Sequence, residues 1–317
     1  MHFALPPRKT SQPPPYLPRT SRLPGLRKTR LKLIALAGLT FLTIFYFFTR
    51  PSSSSGHAAP KQRAPKGNPP VVLVTVLDQG KYGHEYLETV KENRIKYAEK
   101  HGYKTLFAKI TDYDLHGSPF SWTRVVAMRD ALTKYPDCRY VWFLEANGLI
   151  MNPKLKIEEH IMQPARLDEL MKKDFPVVPP DSIIKTFAHL KGQDVDFVLT
   201  QDKEALSAGS FIVRNGEWAK FFLETWWDPI YRSYNFQKEE VHALEHIVQW
   251  HPTILAKMAI VDQRVMNAYS KGAKGTEYRD GDLVVRFPEC KADGPEACAA
   301  ESQAFVQQWR RLIAGSS

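Results

Sequence analysis

Two oxygen-bearing side chains stand one residue apart, directly after the apolar run 140–144. They are Glu145 and Asn147. On an extended segment, residues i and i+2 point to the same side, so both oxygens would face one way. Mg²⁺ and Mn²⁺ prefer oxygen ligands, and such an ion can also contact a diphosphate. The pair is therefore a candidate metal site, and a polar turn without a ligand is the alternative.

A second group of chemically capable side chains opens the segment 239–250. Glu239 and Glu240 come first, where acidic side chains complement the dipole of a predicted helix. His242 and His246 lie four residues apart, which places them on one helical face, as in a metal-binding pair. Because no third ligand accompanies them in the sequence, a solvated or hydrogen-bonded pair is the preferred interpretation.

The elements that must position these side chains alternate along the chain. Continuous apolar runs, helical spacing and turn residues predict strands 71–77, 103–108 and 140–144 and helices 84–100 and 121–132, the latter with Ser121 as its N-cap. This β-α-β-α-β order implies a mainly parallel sheet with helical crossovers. Such sheets bind ligands beyond the carboxyl ends of their strands, so the loops after Leu77 and Leu144 are the expected location of a site.

The second half of the chain is less regular. The same reasoning predicts strands 211–214, 259–261 and 283–287 and helices 218–227, 239–250 and 300–313. The predicted fold class is thus α/β, with one large domain over residues 71–317.

The positive charge of the chain is concentrated at its N-terminus. The formal net charge is +10, and residues 1–32 contribute eight Lys or Arg and no acid. Four more basic residues fall within 50–70, so the remaining domain is near neutral. The main argument for a nucleic-acid partner is thereby lost, and none is expected.

An uncharged apolar run follows this basic segment. It covers residues 33–49, and with Leu31 and Lys32 it reaches about 19 residues, enough to cross a hydrocarbon core of roughly 30 Å. The long basic segment before it and its bulky end argue against a cleaved signal peptide. The positive-inside rule then predicts a cytosolic N-terminus and a luminal C-terminal domain.

These patterns together predict four regions. They are a basic, Pro-rich cytosolic tail (1–30), a transmembrane anchor (31–49), a flexible stem (50–70) and the luminal domain (71–317). In an oxidising lumen, Cys290 and Cys298 could close a short loop and leave Cys138 as a buried thiol. Three free thiols are the alternative.

Four segments of the domain, in order, resemble glycosyltransferase family 34, which includes fungal α-mannosyl- and α-galactosyltransferases and plant xyloglucan xylosyltransferases. They are SWTRVVAMRDALTKYPDCRYVWFLEANGLIMNP, LSAGSFIVRNGEWAKFFLETWW, EEVHALEHIVQWHPTIL and DGDLVVRFPECK. The resemblance covers about residues 71–292 and is strongest to the fungal Golgi α-1,6-mannosyltransferase subunits of the mannan polymerase II complex. It implies a GT-A-like nucleotide-sugar-binding domain in a type II Golgi membrane protein.

The resemblance also implies roles for single residues. The family's aspartate-x-aspartate, which binds manganese and the donor diphosphate, falls on Glu145-Ala146-Asn147. Its late metal-binding histidine falls on Arg286, so two of the usual Mn²⁺ ligands are weakened or lost. A guanidinium cannot coordinate a metal ion, but it can neutralise a diphosphate as a bidentate cation.

The remaining matched positions fall into two groups. The family's acidic acceptor-side pair falls on Glu239 and Glu240, which are therefore the predicted catalytic residues. The predicted substrate-binding residues are Thr75, Leu77, Trp122, Arg124, Ser207, Gly209, Arg286 and Lys291.

The implied activity is transfer of mannose from GDP-mannose to an α-1,6-mannan backbone of N-glycans, with retention of configuration, within a hetero-oligomeric complex. No nucleophile stands next to the predicted diphosphate site, so the expected route is a front-face substitution assisted by the leaving diphosphate. The altered metal motif supports a different class, a non-catalytic structural subunit of a mannosyltransferase complex. A third possibility is an α-galactosyltransferase that uses UDP-galactose.

Overall fold

The computed structural model describes residues 26–49, 64–178, 182–234, 236–272, 274–291 and 295–314. The chain divides into two units, Met1–Gln62 and Arg63–Ser317. In the first unit, helix α1 spans Leu26–Thr49 and covers the predicted anchor. Within the described ranges, none of the helices combines the length and the hydropathy that a membrane crossing requires. The predicted tail before Leu26 and the predicted stem up to residue 63 lie outside the described residues.

The second unit contains nine described strands. They are β1 Val71–Leu77, β2 Lys104–Lys109, β3 Tyr140–Leu144, β4 Gly148–Ile150, β5 Phe197–Gln201, β6 Leu206–Arg214, β7 Met258–Val261, β8 Ala268–Tyr269 and β9 Val284–Arg286. Its described α-helices are α2 Gln79–Tyr82, α3 His84–His101, α4 Thr123–Lys134, α5 Pro164–Leu170, α6 Glu217–Trp226, α7 Pro229–Ser233, α8 Glu239–Trp250, α9 Pro252–Leu255, α10 Gln263–Met266 and α11 Pro295–Ala314.

Six of the described strands form the central sheet, in the order β2-β1-β3-β6-β5-β7. Strands β1, β2 and β3 are parallel, as the sequence predicts, and β7 is parallel to β5. Strand β6 is antiparallel to both of its neighbours. The four residues between β5 and β6 explain this reversal, because so short a connection can join only antiparallel strands. The sheet is therefore mainly parallel, as predicted.

A second, three-stranded sheet has the order β4-β9-β8. In it, β4 and β9 run antiparallel and Gly148 pairs directly with Arg286. The predicted strand 283–287 is confirmed as β9, whereas β4 has no counterpart among the predicted strands. This small sheet carries Arg286 to the carboxyl end of β3, where the Glu145–Asn147 segment begins.

Apolar side chains cover both faces of the central sheet. One face packs against α4, α6 and α8, and Trp226, Phe211 and Val125 are fully buried there. The other face packs against α3, with Tyr97 and Trp142 buried. A disulfide joins Cys290 to Cys298, and Cys138 is a buried free thiol, so the predicted pairing of the cysteines is confirmed.

Candidate active site

A cavity of about 340 Å³ opens at the carboxyl end of β3, where the fold class places a ligand. The elements that border it are α4, the segment after β3, β6, the start of α8 and β9. Most of the predicted site residues line this cavity: Arg124, Glu145, Ser207, Gly209, Glu239, Glu240 and Arg286. They are separated by up to about 160 positions in the chain, so the fold brings them together.

Arg286 is the centre of a hydrogen-bonded cluster. Its Nη2 donates to Glu145 Oε2 at 2.8 Å, and its Nη1 donates to Ser207 Oγ at 3.0 Å. Asn147 Oδ1 accepts from Nη2 at 3.3 Å and from Nε at 3.4 Å. Arg286 is 3% exposed and Asn147 1% exposed, so these bonds form largely away from solvent. Charge-assisted bonds of this kind are among the stronger ones in proteins.

Two glycines make room for the Arg286 side chain. A Cβ on Gly209 would lie 2.3 Å from Nη2 of Arg286, a distance that no pair of unbonded atoms tolerates. A Cβ on Gly148 would lie 3.3 Å from Cγ of the same side chain and 3.2 Å from the carbonyl oxygen of Val285. On another side, the Tyr269 ring centre lies 6.0 Å from Cζ of the guanidinium. The Arg286 side chain is therefore packed closely against the backbone at Gly209 and Gly148, with the Tyr269 ring on another side.

Glu145 is surrounded by further donors and cations. Arg124 Nη2 lies 3.6 Å and Lys81 Nζ 4.0 Å from its Oε1, and the Tyr82 hydroxyl donates to the same oxygen at 3.4 Å. Burial and, next, the charge of Glu145 raise the pKa of Tyr82 well above its usual value, so this hydroxyl keeps its proton. A single carboxylate thus faces three cationic side chains, counting Arg286.

The backbone of the Glu145–Asn147 segment is held by Arg94, a fully buried side chain of α3. Its Nη2 donates to the carbonyl oxygens of Gly148 at 2.8 Å and Glu145 at 3.3 Å. The amide of Glu145 donates to the carbonyl oxygen of Gly209 at 2.8 Å. The segment is therefore pre-organised by hydrogen bonds from both sides.

Arg124 connects this cluster to the acidic pair of α8. Its Nε lies 3.2 Å from Glu240 Oε1, and its Nη1 donates to the carbonyl oxygen of Ala208 at 2.9 Å. Burial alone would lower the pKa of Arg124, but Glu240 and Glu145 raise it, so it stays charged. Glu240 is 2% exposed, and its Oε2 accepts no hydrogen bond from the described residues. One carboxylate oxygen is thus left for a ligand.

Glu239 has an unusual backbone for its residue type. Its φ is 48°, in the left-handed region that side chains other than glycine rarely adopt. Its Oε2 accepts a hydrogen bond from Ser121 Oγ, so Ser121 does not cap α4 as predicted. Strained residues of this kind cluster at functional sites, where the surrounding structure holds them in place.

Besides Asn147, which lines a neighbouring cavity, four predicted residues are not among those that line this one. Thr75 is fully buried and donates to the carbonyl oxygen of Leu144 at 3.0 Å. Leu77 and Trp122 are buried in apolar clusters, and Trp122 packs edge-on against Trp227 at 6.0 Å. Lys291 ends a short 3-10 helix, and its side chain lies outside the described part of the chain. The first three therefore support the site from within the core.

The histidines of α8 do not converge on a common point. His242 Nδ1 accepts from the backbone amide of Lys238 at 3.3 Å, as the interpretation of a hydrogen-bonded side chain predicts. The ring of His246 lies between those of Phe236 and Trp250, at 6.1 and 6.0 Å. Within the described residues, no three His, Cys, Asp or Glu side chains come close enough to hold a metal ion.

The donor set around Glu145 and Asn147 does not fit a resident Mn²⁺ ion in this arrangement. Glu145 Oε2 and Asn147 Oδ1 both accept hydrogen bonds from Arg286. A divalent cation would have to displace the guanidinium, which Gly209 leaves no room to move toward β6. A divalent cation bound beside the guanidinium would also be repelled by it, because both are positively charged.

Sequence reasoning missed Lys81, Tyr82, Arg94 and Tyr269. Lys81 and Tyr82 belong to α2, immediately after β1. The expected site in the loop after Leu77 was therefore the correct segment, but no side chain in it was predicted. A second cavity of about 130 Å³ there is lined by Lys81, Tyr82, Arg124 and Glu145 among others. Arg94 lies within the regular pattern of α3, and nothing in the sequence distinguishes it from a surface charge.

Comparison with known proteins identifies a family and a fold. Residues 67–297 match the profile of the galactosyl transferase GMA12/MNN10 family. An uncharacterized alpha-1,2-galactosyltransferase of Schizosaccharomyces pombe is 31% identical over 233 residues, 72% of this chain and 69% of the relative. A probable alpha-1,6-mannosyltransferase of Saccharomyces cerevisiae, MNN11, is 28% identical over 267 residues, 77% of this chain and 63% of the relative.

The match leaves part of each relative uncovered. Two further alpha-1,2-galactosyltransferases of Schizosaccharomyces pombe are matched over 56% and 57% of their length, little more than half. Among solved structures, a glycosyltransferase involved in the glycosylation of the major capsid of PBCV-1 aligns with a TM-score of 0.51 and 12% identity. The alignment covers 74% of this chain and 98% of that structure, which shows a shared mixed α/β glycosyltransferase fold.

Proposed function

We propose a glycosyl-transfer function from the premise that this chain belongs to the galactosyl transferase GMA12/MNN10 family. Family membership makes the protein a hexosyltransferase, with a nucleotide sugar as donor and a glycan as acceptor. The observation that carries the proposal is the 340 Å³ cavity, which is lined both by the cations Arg286, Arg124 and Lys81 and by the α8 carboxylates.

The cations that line the cavity suit the diphosphate of the donor. Arg286, Arg124 and Lys81 surround the single carboxylate of Glu145. When the bond between the sugar and the diphosphate breaks, negative charge develops on the leaving oxygen. Fixed cations that face this position stabilise that charge without reorganisation, which is the largest single contribution in many enzymes.

The carboxylates at the start of α8 suit the acceptor and the sugar. Glu240 has one oxygen without a partner among the described residues, and Glu239 reaches the same cavity from the start of α8. These carboxylates would accept hydrogen bonds from acceptor hydroxyls and stabilise positive charge on the donor sugar. The proposed route is front-face substitution with retention of configuration, in which the leaving diphosphate takes the proton of the attacking hydroxyl.

The proposed donor is GDP-mannose and the proposed acceptor an α-1,6-linked mannan backbone of N-glycans. The alignment with the probable alpha-1,6-mannosyltransferase MNN11 supports this choice, since it extends over 77% of the chain. The second candidate is galactose transfer from UDP-galactose. It is favoured by the names of the three alpha-1,2-galactosyltransferase relatives, which are 29 to 34% identical to the chain.

The proposed location is the Golgi membrane, with a cytosolic N-terminus and a luminal catalytic domain in a complex with other mannosyltransferase subunits. The basic residues 1–32 and the uncharged run 33–49 support the orientation. The Cys290–Cys298 disulfide supports an oxidising compartment.

The test is a transfer assay with purified full-length protein, GDP-mannose or UDP-galactose, and an α-1,6-linked mannooligosaccharide. We expect mannose transfer, with an α-linked product identified by nuclear magnetic resonance, and at least tenfold less in a folded Glu240→Gln variant. Transfer from UDP-galactose alone would establish the second candidate. Nucleotide binding without any transfer, alone or with co-purified partners, would contradict the enzyme and favour the structural subunit.

A further inference from the structure

We propose that Arg286 is the built-in cation of the donor site, so that the chain binds the diphosphate of a nucleoside diphosphate without a divalent metal ion. This inference rests on the proposed function and specifies how the donor is held. It starts from the position of the guanidinium, which interacts with both of the residues expected to ligate Mn²⁺, Glu145 at 2.8 Å and Asn147 at 3.3 Å.

The charges at this point balance for a guanidinium. A +2 ion needs two carboxylates for local neutrality, and the family pattern implied by the sequence supplies two aspartates. This chain has one carboxylate, Glu145, and one neutral amide, Asn147, beside the single positive charge of Arg286. Relative to the family pattern, this chain therefore has one negative charge fewer in the motif, and a cation of charge +1 stands where the family holds an ion of charge +2.

The surrounding backbone is also shaped for Arg286. Gly209 lies where any Cβ would meet Nη2 at 2.3 Å, and Gly148 lies under the aliphatic part of the side chain. Ser207 Oγ accepts from Nη1 and in turn accepts from Asn267 Nδ2 at 3.2 Å. Three elements, β4, β6 and the helix α10 region before β8, thus contribute to a fitted pocket for the guanidinium.

The guanidinium remains within reach of a ligand. It borders both the 340 Å³ cavity and a neighbouring cavity of about 370 Å³ that Asn147, Tyr269 and Lys271 also line. Lys81 and Arg124 approach the same carboxylate from the other side. A diphosphate lying over Glu145 would therefore meet three cations against the two carboxylates of Glu145 and Glu240, which leaves a net positive charge. These cations would do for the leaving group what a divalent ion does elsewhere.

The first test measures nucleotide binding, which does not depend on turnover. Full-length protein is titrated calorimetrically with GDP and with UDP, in excess EDTA and then in millimolar Mn²⁺. We expect the preferred nucleotide to bind in both media with dissociation constants that agree within about twofold. Binding that requires Mn²⁺ would overturn the inference and leave the proposed function standing, whereas no binding of either nucleotide in either medium would overturn both.

The second test rebuilds a metal site. In the double variant Asn147→Asp/Arg286→His, two carboxylates and one imidazole replace the charge-balanced pair. We expect binding in EDTA to fall at least tenfold and to recover with Mn²⁺, and Mn²⁺ alone to raise the melting temperature of this variant but not of the native chain. The matched control is Arg129→His, whose side chain pairs with the exposed Glu224 on α6.

Two results from these variants would contradict the inference. One is nucleotide binding in EDTA that is unchanged when Arg286 is replaced, in a variant that still unfolds cooperatively. The other is a melting temperature of the native chain that rises with Mn²⁺ as much as that of the double variant. If the double variant folds poorly, Arg286→Lys serves as the second variant. It keeps the charge but loses the forked geometry, so its affinity for the nucleotide in EDTA should fall at least fivefold.

Discussion

The guanidinium of Arg286 lies directly against the backbone of Gly209, so that a Cβ at position 209 would be 2.3 Å from Nη2 and 2.4 Å from Cζ. The two residues are 77 positions apart in the chain. One belongs to the central sheet and the other to the small sheet, so their contact joins the two sheets at the candidate donor site.

Replacement of this glycine should therefore disturb both stability and binding. We expect Gly209→Ala to lower the free energy of unfolding by about 1–3 kcal/mol, as overpacked sites do, and to abolish nucleotide binding, because Arg286 must move. Urea unfolding and calorimetric titration measure the two effects. The control is Gly216→Ala, where nothing lies within 4 Å of the added Cβ.

The same contact can be isolated with a double-mutant cycle. If the clash with Arg286 causes the loss of stability, then Gly209→Ala should cost little in an Arg286→Ala background, where the guanidinium is absent. The coupling free energy should be about 1–3 kcal/mol, in the range found for residues in contact. Equal effects of Gly209→Ala in the two backgrounds would show that another neighbour is responsible.

A second prediction concerns the buried pair between Arg124 and Glu240. Their side chains are 13% and 3% exposed, and Arg124 Nε lies 3.2 Å from Glu240 Oε1. Arg124→Met would remove the cationic partner of a carboxylate in the interior, and breaking a buried pair in this way costs about 3–5 kcal/mol. Chemical unfolding at neutral pH measures this loss.

The same helix supplies a matched control for this variant. Arg129, also on α4, pairs with Glu224 at 2.6 Å, where the two side chains are 30% and 62% exposed. Arg129→Met should cost only about 0–1 kcal/mol, because exposed pairs contribute little. Similar losses in the two variants would mean that the Arg124 pair is accessible to water.

The features that the sequence predicts correctly are those that depend on a single continuous segment of the chain. Strands β1 and β3 and helix α8 were predicted within one residue or less, because a continuous apolar run or a helical period is visible in a single segment. The direction of β6 and the existence of β4 were not predicted. The three residues of β4 form a strand because they pair with β9, which lies far along the chain.

The residues of the candidate site also divide into those that a sequence pattern reveals and those that depend on distant contacts. The family pattern led to Glu145, Asn147, Arg286 and the α8 carboxylates, and the structure places these around two cavities that share Arg286 as a lining residue. It led to no role for Lys81, which lies on a four-residue helix with no periodic pattern of its own. Ser121 was expected to cap α4, but the approach of Glu239 from α8 gives its hydroxyl a different partner.

A third prediction uses the left-handed backbone of Glu239. A non-glycine residue in this conformation costs roughly 1–2 kcal/mol, which glycine avoids. We therefore expect Glu239→Gly to be more stable than Glu239→Ala by about 1 kcal/mol, although glycine is usually the less stable residue in a helix. Both variants lose the carboxylate, so transfer should fall in both.

The control for Glu239 is Glu217, which occupies the first turn of α6 and has no positive φ. At this position alanine should be the more stabilising residue, as is usual in a helix, and Glu217→Gly should be less stable than Glu217→Ala by roughly 0.5–1 kcal/mol. If Glu239 showed the same order as Glu217, its backbone would not be left-handed in solution.

The last prediction concerns the pH dependence that Glu245 introduces. Burial raises the pKa of this carboxyl, although Oε1 accepts a hydrogen bond from the amide of Leu206 at 2.9 Å, which acts in the opposite direction. Since the folded state binds the proton more tightly than the unfolded state, the ionised carboxylate lowers stability at neutral pH, and this cost disappears as the pH falls through the folded pKa toward the unfolded value.

Glu245→Gln removes the charge and keeps an oxygen acceptor for Leu206. The variant should therefore have a higher urea midpoint than the native chain at pH 7, and the difference should vanish below about pH 4, where an ordinary carboxyl is also protonated. The exposed Glu224→Gln, which gives up its ion pair with Arg129, should gain no stability at pH 7. A lower midpoint for Glu245→Gln at neutral pH would show that the charge of Glu245 is stabilised by a partner and that burial does not dominate its ionisation.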